Sequence, residues 1–289
     1  MLPALVALGV RRQSEQLRGS LTPPPGASLP LTPPSDFEGD VSLLSRGGGG
    51  NRIVLINQYF KPADPARQVE LDTALRKNLE NPLLDRVHIL VESSDVWPPA
   101  QLANHSRLER VVIDRRLSWR DGFSHAAKLK AAGGLEGTRL VAIVANADIW
   151  WDETLSKLQH APSALEGKRA YVLARFGDKQ DWCVPGEDGH ADSIIFVPPV
   201  EAAVEADYFL GVQGTETRLI YELSRQGYEV SNPCLVLTSH HEHKSNIRYY
   251  DPHEVVNGDG RKQGNSPPTD ELPLSNLSSQ DTAASRRAR

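Results

Sequence analysis

The stretch Leu140-Val-Ala-Ile-Val-Ala145 is the most apolar of the predicted strands, and Asn146-Ala-Asp-Ile-Trp-Trp-Asp152 follows it directly. A short apolar run that ends in polar residues predicts a β-strand. In open α/β sheets the ligand crevice lies beyond the carboxyl ends of the strands. The residues directly after Ala145 are therefore the first place to look for a functional site.

Similar runs alternate with helical patterns on both sides of this strand. Runs rich in β-branched residues and leucine predict strands, whereas apolar residues at helical spacing predict helices. The predicted strands cover 53–57, 87–91, 111–114, 140–145, 170–174, 193–197 and 229–231, and the predicted helices cover 68–79, 120–131, 153–159 and 216–225. This alternation predicts an α/β fold with a mainly parallel central sheet.

Proline and glycine mark the limits of the folded region. Prolines between positions 23 and 34 and glycines at 47–50 interrupt the N-terminal segment, and glycine, proline and serine become frequent again after Asp251. We predict a disordered extension over 1–50, one domain over 51–250 and a disordered tail over 251–289, because the flanks carry too few apolar side chains to offset the entropy of ordering. The scarcity of acids before residue 35 leaves a plastid-type transit segment as an alternative for the extension.

Charge and hydropathy limit the classes of partner. The 289 residues carry a net charge of -5 and contain no run of lysine or arginine, which argues against a nucleic-acid partner. The sequence has no apolar stretch of about 18 residues, so we predict no integral membrane segment and a cytoplasmic location. The triplets Asn104-His-Ser106 and Asn276-Leu-Ser278 are N-glycosylation sequons, which matter only if the chain enters the secretory pathway.

The chain has two cysteines, Cys183 and Cys234. They have no C-x-x-C spacing, which excludes a thiolate zinc site, and two residues cannot form a disulfide framework. We expect two thiols that are buried or have no function.

Asp148 is the first candidate metal ligand. A carboxylate that a rigid sheet holds at the end of a strand can bind a divalent cation, and hard cations such as Mg²⁺ and Mn²⁺ prefer oxygen ligands. A turn-forming role is the alternative for Asp148. For Asp152 we predict a different role, as the cap of a helix that begins at Glu153.

The segment Ser239-His-His-Glu-His-Lys244 places three imidazoles within four positions. In an extended segment His241 and His243 point the same way and His240 points the other way. Such a pair can supply a metal ligand, while Lys244 and Arg248 supply cations for a phosphate. A zinc hydrolase that uses the three imidazoles and a surface cluster without function are the alternatives.

Two further groups of residues are candidates for ligand contacts. Asn57-Gln-Tyr-Phe60 closes the first strand, where a ring can stack on a base and an amide can bind its edge, unless Tyr59 and Phe60 only pack under a loop. Glu216 follows two glycines at a helix start, so it is a candidate base or acceptor for a sugar hydroxyl, with a favourable helix-dipole interaction as the alternative. The chain has neither a dinucleotide glycine fingerprint after the first strand nor a P-loop lysine motif.

Taken in chain order, these motifs resemble a little-characterised group of glycosyltransferase-like proteins, itself similar to the GT-A superfamily of nucleotide-sugar transferases. The resemblance spans nearly all of 52–250 and implies a Rossmann-like, three-layer α/β fold that binds the nucleotide on its N-terminal half and the acceptor on its C-terminal half. The motifs that carry it are Asn57-Gln-Tyr-Phe60, Arg67 with Glu70, Arg116-Leu-Ser-Trp-Arg-Asp-Gly-Phe123, Ala145-Asn-Ala-Asp-Ile-Trp-Trp-Asp152, Phe209-Leu-Gly211 with Gly214, Gly227-Tyr-Glu-Val-Ser-Asn-Pro233 and His241-Glu-His243.

The resemblance also implies roles for individual residues. Asp148 matches the metal-binding acid of the D-x-D motif, His241 or His243 matches the C-terminal metal and diphosphate ligand, and the implied cofactor is Mn²⁺ or Mg²⁺. Glu216 and Asp192 are the implied catalytic carboxylates. The implied nucleotide-sugar site comprises Asn57, Gln58, Tyr59, Arg67, Glu70, Asn146, Ala147, Asp148, Lys244 and Arg248.

The sequence therefore supports the hypothesis of a glycosyltransferase that moves a sugar from a nucleotide-sugar donor to a glycan or other hydroxyl acceptor. Asn146 stands where the D-x-D motif has its first acid, and an amide carries no charge with which to bind a cation. A histidine-based metallohydrolase and a degenerate fold that binds a nucleotide or glycan without turnover remain as alternatives.

Overall fold

The computed structural model describes residues 50–132, 138–161, 163–177, 183, 191–248 and 255–256. The predicted disordered extension, apart from Gly50, and most of the predicted tail lie outside the described residues. Val255 forms a β-bridge with Gln213, so the described structure continues beyond the predicted boundary at 250.

The described strands form one large sheet and one small sheet. In chain order they are β1 (Asn51–Gln58), β2 (Arg86–Val91), β3 (Leu108–Val112), β4 (Arg139–Ala145), β5 (Ile149–Trp151), β6 (Arg169–Ala174), β7 (Phe176–Gly177), β8 (Ala191–Phe196), β9 (Glu229–Ser231) and β10 (Ser239–His241). The large sheet has the order β3-β2-β1-β4-β8-β6-β9, and the small sheet has the order β5-β10-β7. In the large sheet β8 runs antiparallel to both its neighbours, and the other described pairings are parallel.

Helices cover both faces of the large sheet. They are α1 (Pro65–Glu80), α2 (Ala100–Ala103), α3 (Trp119–Ala131), α4 (Leu155–Gln159) and α5 (Thr215–Arg225). One hydrophobic core joins the sheet to α1, α2 and α4, and a second core joins the opposite face to α3 and α5. The predicted α/β architecture with a mainly parallel central sheet is confirmed. It has three layers, with helices on both faces of the sheet.

The strand β4 lies at the centre of this arrangement because it is apolar on both faces. From Leu140 to Ala145 every residue is buried. Helix α3 approaches this strand closely at Gly122, where an added Cβ would lie 2.9 Å from both Cγ atoms of Val144. Glycine at this position therefore lets the helix pack directly on the central strand.

Three local predictions were wrong. The helix predicted from Glu153 begins at Leu155, and Asp152 does not cap it: the Asp152 carboxylate accepts hydrogen bonds from the amide (2.9 Å) and hydroxyl (2.6 Å) of Thr154. The strand predicted to reach Asp114 ends at Val112, and Asp114 has a φ of 57°. The short strands of the small sheet were not predicted, because two or three residues carry no hydrophobic period.

The two cysteines are buried, but the prediction that they are thiols was wrong. Cys183 and Cys234 form a disulfide across a sequence separation of 51 residues, and both are buried beside Ala174 and Phe176. No local pattern relates two cysteines so far apart, since the fold alone brings them together. Across the described ranges, none of the helices has the length and apolarity that a bilayer crossing needs.

Candidate functional site

A cavity of about 860 Å³ lies at the carboxyl edge of the large sheet. Gln58 ends β1, Glu92 follows β2 and Asn146 follows β4, and all three line the cavity. Because these strands are parallel, their carboxyl ends meet at one edge, as expected for the ligand crevice of an open α/β sheet. Arg175 follows β6 and lines the same space.

Asp148, His241 and His243 lie together in the wall of this cavity. The Oδ2 atom of Asp148 is 2.9 Å from Nε2 of His241 and 3.2 Å from Nδ1 of His243. One ligand atom from each of the three residues lies within 4.8 Å of the others. The carboxylate of Asp148 is buried, with 5% of the residue exposed. This set has the composition of a cation site.

The small sheet brings these residues together. His241 pairs with Ile149 across β10 and β5, and the amide of Glu242 donates to the carbonyl oxygen of Asp148 at 2.8 Å. Alternation along the extended segment then directs His241 and His243 to the cavity. His240 points the other way: its Nε2 lies 2.9 Å from Oδ2 of Asp152, and its ring stacks on Trp150.

Arg67 supplies a fixed positive charge beside this cluster. Its guanidinium donates to Oδ2 of Asp148 at 2.6 Å and to Oε2 of Glu70 at 2.8 Å, and all three side chains are less than 10% exposed. Helix α1 holds Arg67 in its first turn, where the side chain of Asp64 accepts from the amides of Ala66 and Arg67. Glu70 also accepts hydrogen bonds from the amide and hydroxyl of Ser245, which ties the segment after β10 to α1.

These contacts set the ionisation of Asp148. Burial disfavours its charged form, yet His241, His243 and Arg67 outweigh burial and hold the pKa of the carboxyl well below its ordinary value. Burial also lowers the pKa of His241, although Asp148 opposes that shift. A carboxylate beside a neutral imidazole is the ionisation state that a cation site requires.

A second cluster of polar side chains lines the cavity. Its members follow β4 and β6 or lie at the start of β8 and α5. Asn146 Nδ2 donates to Oδ1 of Asp192 at 2.8 Å, and Arg175 forms an ion pair with the other oxygen of Asp192. Glu216 lies in the first turn of α5, after Gly214, whose φ is 87°. Burial raises the pKa of Glu216 to about 7, although the charge of Arg175 and a hydrogen bond from Asn146 oppose the shift.

The structure brings most of the predicted site residues to the cavity. Those that line it are Gln58, Arg67, Asn146, Ala147, Asp148, Asp192, Glu216, His241, His243 and Arg248. Glu70 is not among the lining residues, but it forms an ion pair with Arg67, which is. Lys244 lies beside a smaller neighbouring cavity, with 66% of its side chain exposed, and pairs with Glu242 at 3.0 Å.

Two predicted residues do not reach the cavity. Tyr59 is buried in the core on the α1 face, and its hydroxyl donates to Asp72 at 2.5 Å. Asn57 is buried within β1. By strand alternation both share the face of Ile53 and Leu55, whereas Gln58 points the opposite way.

The cavity also contains cationic and acidic residues that the sequence analysis missed. Lys61, Glu92, Arg116 and Arg175 line it. Glu92 accepts a hydrogen bond from Gln58 Nε2 at 2.5 Å, and Arg116 donates to the carbonyl oxygen of Leu210 at 2.7 Å. Glu92 and Arg175 directly follow predicted strands, so the same rule that singled out Asp148 identifies them too.

Comparison with known proteins gives similarities of fold. No family model and no curated protein sequence matches the chain. A mannosyltransferase from Pyrobaculum calidifontis, solved with GDP-Man and Mn²⁺, is similar with 14% identity and a TM-score of 0.40 over 66% of this chain and 59% of its own. A putative nucleotide-diphospho-sugar transferase from Desulfovibrio desulfuricans G20 is similar with 15% identity and a TM-score of 0.37 over 64% of this chain and 79% of its own.

A 4-diphosphocytidyl-2C-methyl-D-erythritol synthase from Anaerococcus prevotii is similar with 13% identity and a TM-score of 0.38 over 69% of this chain and 91% of its own. The chain thus spans less than two thirds of the length of the mannosyltransferase. At such identities and TM-scores these similarities assign no activity to this chain, which must be inferred from the residues of the cavity.

Proposed function

We propose that this protein is a glycosyltransferase that uses a nucleotide-sugar donor and a divalent cation. The observation that carries the proposal is the convergence of Asp148, His241 and His243 on one wall of a cavity that also holds Arg67 and Glu216. A cation site, fixed positive charge and a carboxylate of raised pKa are the three elements that transfer from a sugar diphosphate needs.

The residues present fit a divalent cation. Nε2 of His243 is buried without a hydrogen-bond partner among the described residues, so this ring has an unsatisfied nitrogen at the cluster. Both Mg²⁺ and Mn²⁺ prefer oxygen ligands, but Mn²⁺ is a transition metal and accepts imidazole more readily than Mg²⁺ does, so one carboxylate and two imidazoles fit Mn²⁺ better. When bound, the cation would stabilise negative charge on the diphosphate of the donor.

The arginines of the cavity suit the same diphosphate. Arg67 and Arg248 line the cavity together with His243, and Lys61 and Arg116 add further positive charge. Guanidinium groups bind phosphate oxygens through paired hydrogen bonds, so they can hold the leaving diphosphate in place. Lys244 is assigned to the rim of this site because its ammonium group is exposed.

Glu216 is the proposed general base. With a pKa of about 7 it can take the proton of an acceptor hydroxyl near neutral pH. Arg175 and Asn146 both contact Asp192, so we propose that Asp192 orients the acceptor and the side chain of Asn146. Asn146 contacts both carboxylates, and an acid at this position would repel them, which gives a physical reason for an amide at the first position of the motif.

Thermal denaturation of the full chain with UDP or GDP tests the proposal, because a ligand that binds only the folded state raises the melting temperature. We expect a shift that requires Mn²⁺ and disappears in Asp148→Asn. Asp152→Asn is the matched control, since Asp152 contacts His240 at the same 2.9 Å but on the other side of β10. The shift should persist in that variant.

The other outcomes separate the rival functions. If no nucleoside diphosphate shifts the transition, the proposal is wrong. Stoichiometric zinc that is lost in His241→Ala would favour a metallohydrolase. Nucleotide binding without donor hydrolysis, and without transfer to any member of a panel of hydroxyl acceptors, would favour a binding fold without turnover.

A further inference from the structure

The sequon Asn104-His-Ser106 lies on the surface, in the turn between α2 and β3. Asn104 and Ser106 are both exposed. The backbone amide of Asn104 donates to the carbonyl oxygen of Ala100 at 3.1 Å, and the backbone carbonyl oxygen of Ser106 accepts from the guanidinium of Arg86 at 2.8 Å. The backbone of this turn is thus fixed while the side chain of Asn104 remains accessible. An accessible acceptor amide is the first requirement for N-glycosylation.

The sequon also lies at the edge of the sheet opposite the cavity. Strand β3 is parallel to β2 and begins at Leu108, so Asn104 stands before the amino end of the strand. The contact between Ser106 and Arg86, the first residue of β2, places the turn at that same edge. The cavity lies at the carboxyl ends. A glycan on Asn104 would therefore extend away from the cavity and leave it open.

The disulfide supplies the second, independent observation. Cys183 and Cys234 are bonded and buried, with 5% and 0% exposed. Disulfides form and persist in oxidising compartments and are rare in the cytosol, where thiols are kept reduced. In a eukaryotic cell the lumen of the endoplasmic reticulum is an oxidising compartment in which such bonds form, and it is also the compartment in which sequons are glycosylated.

We propose that this chain passes through the secretory pathway and carries an N-linked glycan on Asn104. This replaces the cytoplasmic expectation and does not depend on the proposed activity. In the modification, the side-chain nitrogen of Asn104 forms a bond to C1 of an oligosaccharide, and the bond from that carbon to a lipid-linked diphosphate breaks. The amide loses one proton and the lipid diphosphate leaves.

Peptide mapping of the protein isolated from its own cells is the direct test. Treatment with peptide N-glycosidase should convert Asn104 to aspartate, and thiol labelling under denaturing conditions should detect Cys183 and Cys234 only after reduction. Recovery of the peptide with an unmodified Asn104 would overturn the proposal. Free thiols in the native protein would overturn the step that assigns the compartment.

Variants of the full chain, secreted from cultured eukaryotic cells, test the position. Asn104→Gln and Ser106→Ala should each abolish the glycosidase-sensitive change in mobility on a gel, because one removes the acceptor amide and the other the hydroxyl that completes the sequon. Asn276→Gln is the matched control and should retain the glycan on Asn104. A glycosidase-sensitive shift that persists in full in Asn104→Gln would assign the glycan elsewhere and contradict the proposal.

Discussion

The guanidinium of Arg67 lies 2.6 Å from the carboxylate of Asp148, on the same oxygen that contacts His241 and His243. The cluster proposed to bind a divalent cation thus already contains one positive charge. A cation that enters must compete with this contact, and a diphosphate that draws Arg67 away would help it to enter. We therefore expect metal and nucleotide to bind cooperatively.

Arg67→Ala should lower the free energy of unfolding by up to about 3–5 kcal/mol in metal-free buffer, because two buried carboxylates lose their fixed positive charge and keep only the contacts of Asp148 with His241 and His243 and of Glu70 with Ser245. Mn²⁺ should then stabilise this variant more than it stabilises the wild type, since it supplies the missing charge. Urea denaturation with and without Mn²⁺ measures both effects. An equal effect of Mn²⁺ on the two proteins would contradict the competition.

Arg76→Ala is the control on the same helix. Arg76 pairs with Glu80 at the surface, where both side chains are about half exposed or more, at 49% and 61%. Exposed pairs of this kind contribute only about 0.3–0.5 kcal/mol. Its unfolding free energy should therefore remain close to that of the wild type, and Mn²⁺ should affect both proteins equally.

Glu216→Gln should lower kcat by roughly a hundredfold or more with little change in KM, because the amide cannot accept the proton of the acceptor hydroxyl. In the wild type the rate should rise as pH passes through about 7, where Glu216 becomes ionised. That rise should be absent from the residual activity of the variant. Steady-state kinetics across pH with a working donor and acceptor test this, and an unchanged rise in Glu216→Gln would exclude it as the base.

The same group makes a separate prediction about stability. The pKa of Glu216 is raised in the folded state, so the folded state binds more protons than the unfolded state between pH 4.5 and about 7. The wild type therefore loses stability relative to Glu216→Gln as pH rises through this window. Below it the two proteins should be equally stable. Chemical denaturation at pH 4 and pH 8 compares them, and a difference that does not grow with pH would show that folding does not raise the pKa of Glu216.

The sequence predicted the members of the candidate cation cluster from two local patterns. Asp148 follows the most apolar strand, and alternation in an extended segment places His241 and His243 on one side. The pairing of β5 with β10, which brings the two parts together, was not predictable, since each strand has only three residues. The local patterns therefore identified the candidate ligands, whereas only the family resemblance implied that they meet at one cation.

The strand pattern indicates the position of Tyr59, whereas no pattern indicates the disulfide. The alternation that begins at Ile53 already assigns Tyr59 to the core face and Gln58 to the opposite one, so the role predicted for Tyr59 conflicted with the pattern of its own strand. No sequence pattern predicts the disulfide, because only the complete fold brings two cysteines 51 residues apart into contact.

Gly122→Ala should destabilise the protein by about 1 kcal/mol. The new Cβ would lie 2.9 Å from Cγ1 and Cγ2 of Val144. Overpacking of a core costs about 1–3 kcal/mol. This cost outweighs the roughly 1 kcal/mol by which alanine stabilises a helix relative to glycine. The matched test is the same substitution in a Val144→Ala background, where the obstructing atoms are gone. There Gly122→Ala should be neutral or stabilising, and an equal loss in both backgrounds would contradict close packing as the cause.

Loss of the disulfide should affect stability through the unfolded chain. The bond closes a loop between residues 51 positions apart, so it restricts the unfolded ensemble, and Cys234→Ala should cost about 2–4 kcal/mol. A reductant should lower the unfolding free energy of the wild type by a similar amount and leave Cys234→Ala unchanged, because that variant has no bond to break. Denaturation of both proteins with and without reductant makes the comparison. A wild type that does not respond to reduction under denaturing conditions would mean that the bond contributes nothing to the stability of the domain.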